Sequence, residues 1–408
     1  MFGYRRIHHV IFVSIFLFVI STPLLGKIFQ VGITDANEFA KRENRHPNRF
    51  PKLPTSLINF RKFPTTFESA FNDHLPFREF LIRIYSELAV TLLKVSPSKQ
   101  LLIGKKGHFF LASHSNKCNK HNDLIFSSIE IDKNTINYWK KYLIQKEPFL
   151  NDLAVPVLLL AIPTSPLFEF HNLPIFIRNQ IDQSFLDEPP PQRIINDMPK
   201  NFVDKYLLFP YRRAFEANKK YSLFGEKNFH WQPSRYTKLV ANCIAERFGI
   251  ATYEEPGFDE FEKRITLSDL SRFAGIEVYN KDDLVYKPGF WESLQIQDKN
   301  PADVYENSPV FPSSFYTVNP LQAGKLLVVG DSFTPALRFD LARHFGEVLS
   351  VNFNLARNNI NIKEWFDFVF HDFHPSYIIF SQSNNFFVNN EFIDNFYLMK
   401  KRSFKGLK

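Results

Sequence analysis

The chain has 408 residues, 44% apolar and 23% charged, which is the make-up of a folded soluble body and excludes collagen-like, disordered and multi-span membrane classes. Its net charge of +8 suits an anionic partner, but the basic residues are spread along the chain and form no zinc-finger, RNA-recognition or arginine-rich pattern, so nucleic acid is not an expected partner. Cys118 and Cys243 lack metal-ligand spacing and read as two buried thiols, or as a pair in an oxidising compartment.

In chain order, Arg5 and Arg6 precede an apolar run from Val10 to Ile20 that continues to Leu25 and ends at Lys27. No A-x-A site follows. Residues 1–26 therefore read as an uncleaved membrane anchor in preference to a cleaved signal, with the arginines cytoplasmic and the rest of the chain exported. Residues 27–66, punctuated by Pro47, Pro51, Pro54 and Pro64, read as an extended tether, and 67–408 as one α/β domain. From Thr66, the spacing of Phe67, Phe71 and Leu75, then Phe80, Leu81, Ile84, Leu88 and Leu92, predicts an amphipathic helical pair. Leu101–Ile103 and His108–Leu111 predict two short strands about a turn.

The second half alternates apolar runs with helical patterns. Val155–Ile162, Leu326–Gly330, Val348–Phe353 and Tyr377–Ser381 predict strands, with helices over about 334–345 and 362–373. Such a βαβαβ run implies a mainly parallel sheet with helices on both faces, whose ligands bind beyond the carboxyl ends of the strands.

Three of these strand ends are polar: Thr164-Ser165, Asp331-Ser332 and Gln382-Ser383-Asn384. Ser332 stands between a strand and a helix, where free N–H groups and the helix dipole stabilise an oxyanion, although a serine there also serves as a plain N-cap. A serine nucleophile needs a base. His374 falls before a strand, at the wrong end of the sheet. His230, in a loop before a helix expected over about 234–248, is placed to project into the site.

The N-terminal anchor, Glu43-Asn44-Arg45, Phe71-Asn72-Asp73-His74, Ile103-Gly104-Lys105-Lys106-Gly107, Asn228-Phe229-His230-Trp231 and Gly330-Asp331-Ser332-Phe333 occur in an order that resembles the alginate O-acetylation proteins of the AlgJ/AlgX kind, over roughly residues 40–395. The resemblance implies an SGNH-hydrolase-like, flavodoxin-like domain, periplasmic and tethered to the inner membrane. It implies transfer of acetyl groups to hydroxyls of an exported polysaccharide, supplied through a membrane-bound O-acyltransferase partner and needing no cofactor of its own. Ser332 maps to the family's nucleophile, His230 to its base and Asn228 to the position of its orienting aspartate. An asparagine there cannot offset an imidazolium charge, and a neighbouring carboxylate such as Glu226 is a candidate substitute. Ser165 falls where relatives often carry a lysine. From position alone, Asn384 is assigned as a further oxyanion donor beside the Ser332 N–H, and Arg357 as a substrate contact. Two other readings use the same cleft: a polysaccharide-binding scaffold with an impaired triad, and an acetyl-esterase in which water replaces the sugar hydroxyl.

Overall fold

A computed structural model describes residues 2–43, 46–113, 121–231, 235–253, 260–305, 314–352 and 362–384. The chain divides into two compact units. The first comprises Met1–Pro97 with Ser271–Glu277, the second Ser98–Leu270 with Val278–Lys408.

The first unit opens with the helix Phe2–Phe29, of which His8–Phe29 has mean hydropathy 2.1 and almost no buried surface. At 1.5 Å per residue its 22 residues reach about 33 Å, enough to cross a hydrocarbon core of about 30 Å. The segment expected as an extended tether is instead partly helical, over Ala36–Glu43 and from Leu57. Ser56 caps the helix Leu57–Asp73 by accepting the Asn59 N–H at 3.3 Å, and the helix continues through Pro64. A mid-helix proline costs about 3 kcal/mol, so Pro64 reads as a breaker in sequence. The helix Arg78–Glu87 follows, extended by a π-turn over Leu88–Leu93.

The second unit begins with an antiparallel hairpin, β1 (Leu101–Ile103) and β2 (Phe109–Leu111). Its main sheet uses β3 (Val157–Ile162) and β4 (Leu207–Leu208). A second hairpin, β5 (Phe261–Leu267) and β6 (Tyr279–Tyr286), stands apart from that sheet. The main sheet is completed by β7 (Gln297–Lys299), β8 (Ser314–Val318), β9 (Lys325–Gly330), β10 (Glu347–Asn352) and β11 (Tyr377–Ser383). The order is β4-β3-β11-β9-β10-β8-β7, with the first five strands parallel and β8 and β7 forming an antiparallel margin. This is an α/β architecture with a mostly parallel, mixed seven-stranded sheet.

The central strands are apolar throughout because both faces are covered. Leu159, Ala161, Leu327 and Val329 join Trp139, Leu143, Phe202, Trp365 and Val369 in one core. The alternate residues Leu158, Leu160, Leu326 and Val328 are equally buried on the other face, the side of the helices Arg235–Arg247 and Arg338–Ala342. Register aligns Gly330 with Ser381 and Ser383 with Ile162, so β3, β9 and β11 end together at one edge.

Candidate active site

At that edge the chain leaves β9 through Asp331 and Ser332. Gly330 is required there: a Cβ would come 2.0 Å from Thr334 Oγ1 and 2.3 Å from the Ser381 carbonyl. Asp331 is buried and accepts the Phe333 N–H at 3.0 Å, the Ser383 N–H at 2.7 Å and the Ser383 hydroxyl at 2.7 Å. Burial pushes its carboxyl above the usual range, and those three donors oppose the shift. Ser332 is left exposed, and among the described residues its N–H has no partner.

His230 Nε2 lies 2.7 Å from Ser332 Oγ. On the other side of the ring, Nδ1 lies 2.6 Å from Asp269 Oδ2. Asp269 also accepts the Phe229 N–H at 2.9 Å and the His230 N–H at 2.8 Å, so its carboxylate is fixed by backbone as well as by the imidazole. The three side chains stand in the arrangement that a nucleophile, base and orienting-acid relay requires.

Aromatic packing sets the spacing between His230 and Ser332. Phe333 is fully buried, with the rings of Phe229, His230 and Trp231 at 5.1, 4.9 and 5.7 Å from its own. Trp231 Nε1–H donates to the Phe333 carbonyl at 2.8 Å, tying the histidine loop to the serine turn. On the hairpin side, the Ser268 hydroxyl donates to the Lys227 carbonyl and the Asn280 side chain accepts the Lys227 N–H at 2.8 Å. The loop Ser268–Leu270 after β5 is thereby held against the loop that carries His230.

No family model and no curated protein matches the chain. Its structural neighbours include an O-acetyltransferase domain. That domain, from Pseudomonas putida AlgJ, is 11% identical, with 75% of this chain and 99% of that one covered and a TM-score of 0.37. PatB1 of Bacillus cereus, solved with a sulfonyl adduct, is 13% identical over 64% of this chain and 91% of that one, at 0.44. A DHHW family protein from Eubacterium siraeum is 14% identical over 73% and 96%, at 0.45.

Not every assigned residue joins the relay. Asn228 does not face the imidazole. It is buried, its Oδ1 accepts the Asp269 N–H at 3.2 Å, and its Nδ2 donates to Asp283 Oδ2 at 3.3 Å. Asn228 therefore holds the Asp269 backbone, and it is Asp269 that meets the imidazole. The carboxylate that meets His230 Nδ1 is that of Asp269 and not that of Glu226, whose main-chain carbonyl accepts the Phe109 N–H at 2.9 Å. Asn384 is fully buried, with Oδ1 taking the Thr164 N–H at 3.1 Å and hydroxyl at 2.6 Å and Nδ2 donating to the Ser128 carbonyl at 2.7 Å. It locks the ends of β3 and β11 and does not line an open site. Arg357 lies outside the described residues, as does Cys118, while Cys243 is a free buried thiol pushed up to about 11 by burial. Ser165 is buried, with no hydrogen-bond partner for its hydroxyl among the described residues.

The expected long helix after Ser332 is a 3-10 turn, Thr334–Leu337, running into the short helix Arg338–Ala342. Asp331 takes the Phe333 and Thr334 N–H groups, so the turn offers neither these N–H groups nor a long helix dipole to a bound anion. His374 stands before β11, where Ser376 pairs with Lys325 at the opposite edge of the sheet.

Asp269 is the residue the sequence analysis missed. It lies between the two largely exposed, charged strands of a hairpin, just after β5, and its polar Leu-Ser-Asp-Leu-Ser setting resembles any surface turn. Asp283, on β6, completes the support: a Cβ on Gly225 would come 2.5 Å from its Oδ1 and 2.8 Å from Asn228 Nδ2, so glycine lets the loop close on this pair. Among the described residues no group of three or more His, Cys, Asp and Glu side chains is gathered as a metal site would gather them.

Proposed function

We propose that this chain is a serine-dependent O-acetyltransferase of the SGNH-hydrolase kind, acting on hydroxyls of an exported polysaccharide. The observation that carries the reading is the relay in which Ser332, His230 and Asp269 are joined by contacts of 2.7 and 2.6 Å. As Ser332 Oγ attacks an acetyl carbonyl carbon, His230 Nε2 takes the hydroxyl proton, and Asp269 stabilises the resulting imidazolium. The carbonyl oxygen becomes an oxyanion within reach of the Ser332 N–H. Collapse expels the donor's leaving group, which takes the proton from His230, and leaves an acetyl ester on Ser332. A sugar hydroxyl then repeats the sequence, giving its proton to His230 and receiving the acetyl group.

A membrane-bound O-acyltransferase is the proposed source of acetyl groups, and the helix His8–Phe29 the proposed tether on the periplasmic side of the inner membrane. The scaffold reading rested on Asn228 leaving the histidine without an acid; Asp269 at 2.6 Å removes that ground. The test is acylation by an activated acetyl ester, with peptide mass mapping. The label is expected on Ser332 and absent from Ser332→Ala, with transfer to an oligosaccharide acceptor exceeding hydrolysis. Undiminished turnover in a folded Ser332→Ala protein would end the proposal, and hydrolysis alone would leave an esterase.

A further inference from the structure

Two helices of the first unit turn small side chains inward and large apolar ones outward. Along Arg78–Leu93, Ser86, Ala89 and Val90 are buried, whereas Leu81, Tyr85, Leu88 and Leu92 are exposed, Leu92 to 70%. Their spacing of four, three and four places them on one face. The helix Leu57–Asp73 repeats the pattern. Phe60, Phe67 and Phe71 are exposed, Phe60 to 65%, on the same side as Phe63 and Pro64, while Thr65 and Ser69 lie across the helix with exposed Ile58 between them, and Arg61 stands at the margin. The Phe63 and Phe67 rings stack at 5.8 Å, and those of Phe67 and Phe71 at 6.3 Å.

Soluble surfaces scatter such residues singly; two helices carrying continuous apolar stripes mark a surface meant to be covered. What covers it follows from what it adjoins. The corner between the two helices is packed on the end of the apolar N-terminal helix: the Phe77 N–H donates to the Gly32 carbonyl at 2.7 Å, and a Cβ on Gly26 would come 2.7 Å from the Phe77 ring. Exposed Val31 and Ile33 carry the apolar surface from Phe29 to that corner. Over residues 46–97 seven Lys and Arg face four Asp and Glu, and Arg61, Lys62, Arg83 and Lys94 are all exposed on or beside the two helices. Phe and Leu on one face with basic residues at its margins is the pattern of a helix that lies in a lipid interface.

We propose that Leu57–Asp73 and Arg78–Leu93 lie in the headgroup region of an anionic bilayer, the one entered by His8–Phe29, with their apolar stripes against acyl chains. The first unit is then a membrane-lying platform and not a slack tether. The test places benzoylphenylalanine singly at Phe12, Phe67, Leu88 and Thr65 of the full chain, reconstituted in vesicles of phosphatidylethanolamine and phosphatidylglycerol and irradiated. Lipid adducts are expected at Phe12, Phe67 and Leu88, each severalfold above Thr65 on the polar side. Lipid adducts at Phe12 but not at both Phe67 and Leu88, or chain-to-chain adducts there, would overturn the proposal in favour of a protein partner or a second copy. Equal labelling at Thr65 would overturn the orientation, and no lipid adduct at Phe12 would remove the membrane altogether.

Discussion

Asp269 Oδ2 and His230 Nδ1 stand 2.6 Å apart although 39 positions separate them, and Asp269 binds the His230 backbone N–H as well. One carboxylate thus fixes both the ring and the main chain of the base. Asp269→Asn keeps the size of the side chain but can present an NH2 to Nδ1 and select the wrong tautomer. Turnover is expected to fall by about 10⁴, the loss seen for this replacement in the serine-protease precedent. Ester kinetics with the folded variant measure it; a loss below about tenfold would show that Asp269 is not the orienting acid.

The clamp on Phe333 predicts a milder defect. Trp231→Phe keeps the ring but removes the donor to the Phe333 carbonyl. A buried acceptor left unpaired costs about 1–3 kcal/mol, and the loosened loop lengthens the contact between His230 and Ser332. The variant should lose thermal stability and kcat together while KM stays near the parent value. An unchanged kcat would separate the clamp from catalysis.

How far the sequence carried depends on the range of the signal. Val157–Ile162 and Lys325–Gly330 are legible because burial on both faces makes a strand apolar without interruption, and the turn after Gly330 is legible because polar residues must follow. His230 and Ser332 sit in local motifs. Asp269 does not: its place arises from contact with a loop 39 residues earlier in the chain, and β5 carries Glu262, Lys263 and Arg264 where an alternating apolar pattern would announce a strand. The start of the helix Leu57–Asp73 was hidden for the opposite reason, since Pro64 is a strong local breaker overridden by the cap at Ser56 and the phenylalanine stripe.

Two buried groups, one in the helix Arg338–Ala342 and one just after it, predict opposing pH dependences. Burial raises the Asp340 carboxyl to about 6 and lowers the His344 imidazole to about 4. Asp340 holds its proton more tightly folded than unfolded, so its contribution to stability is present at low pH and is lost as pH rises from near 4 through about 6. His344 is favoured neutral, so its contribution is present above about 6.5 and is lost as pH falls towards about 4. Each slope is at most about 1.4 kcal/mol per pH unit. Asp340→Asn should therefore steepen the loss of stability on acidification between pH 6 and about 4, and His344→Gln should reduce it. Melting temperatures across that interval decide; parallel profiles for both variants and the parent would contradict the assignment.

Asn228 supplies the sharpest test, because sequence and structure predict opposite outcomes for one substitution. If residue 228 were the orienting position, Asn228→Asp would restore a missing charge and raise turnover. In the structure Asn228 is a buried bridge, with Oδ1 on the Asp269 N–H and Nδ2 on Asp283 Oδ2, and the latter oxygen also accepts the Thr266 hydroxyl. Burial already holds the Asp283 carboxyl above its usual range. A carboxylate at 228 would replace a donor with a like charge, and two buried carboxylates in one site force a proton onto one of them or push them apart. Asn228→Asp should therefore lower both stability and turnover, by about 1–3 kcal/mol in the first. Adding Asp283→Asn returns a donor to the pair and should recover most of the loss. A rise in turnover for Asn228→Asp, with no rescue by Asp283→Asn, would mean that the carboxylate reaches His230 and that Asp269 is not the acid of the relay.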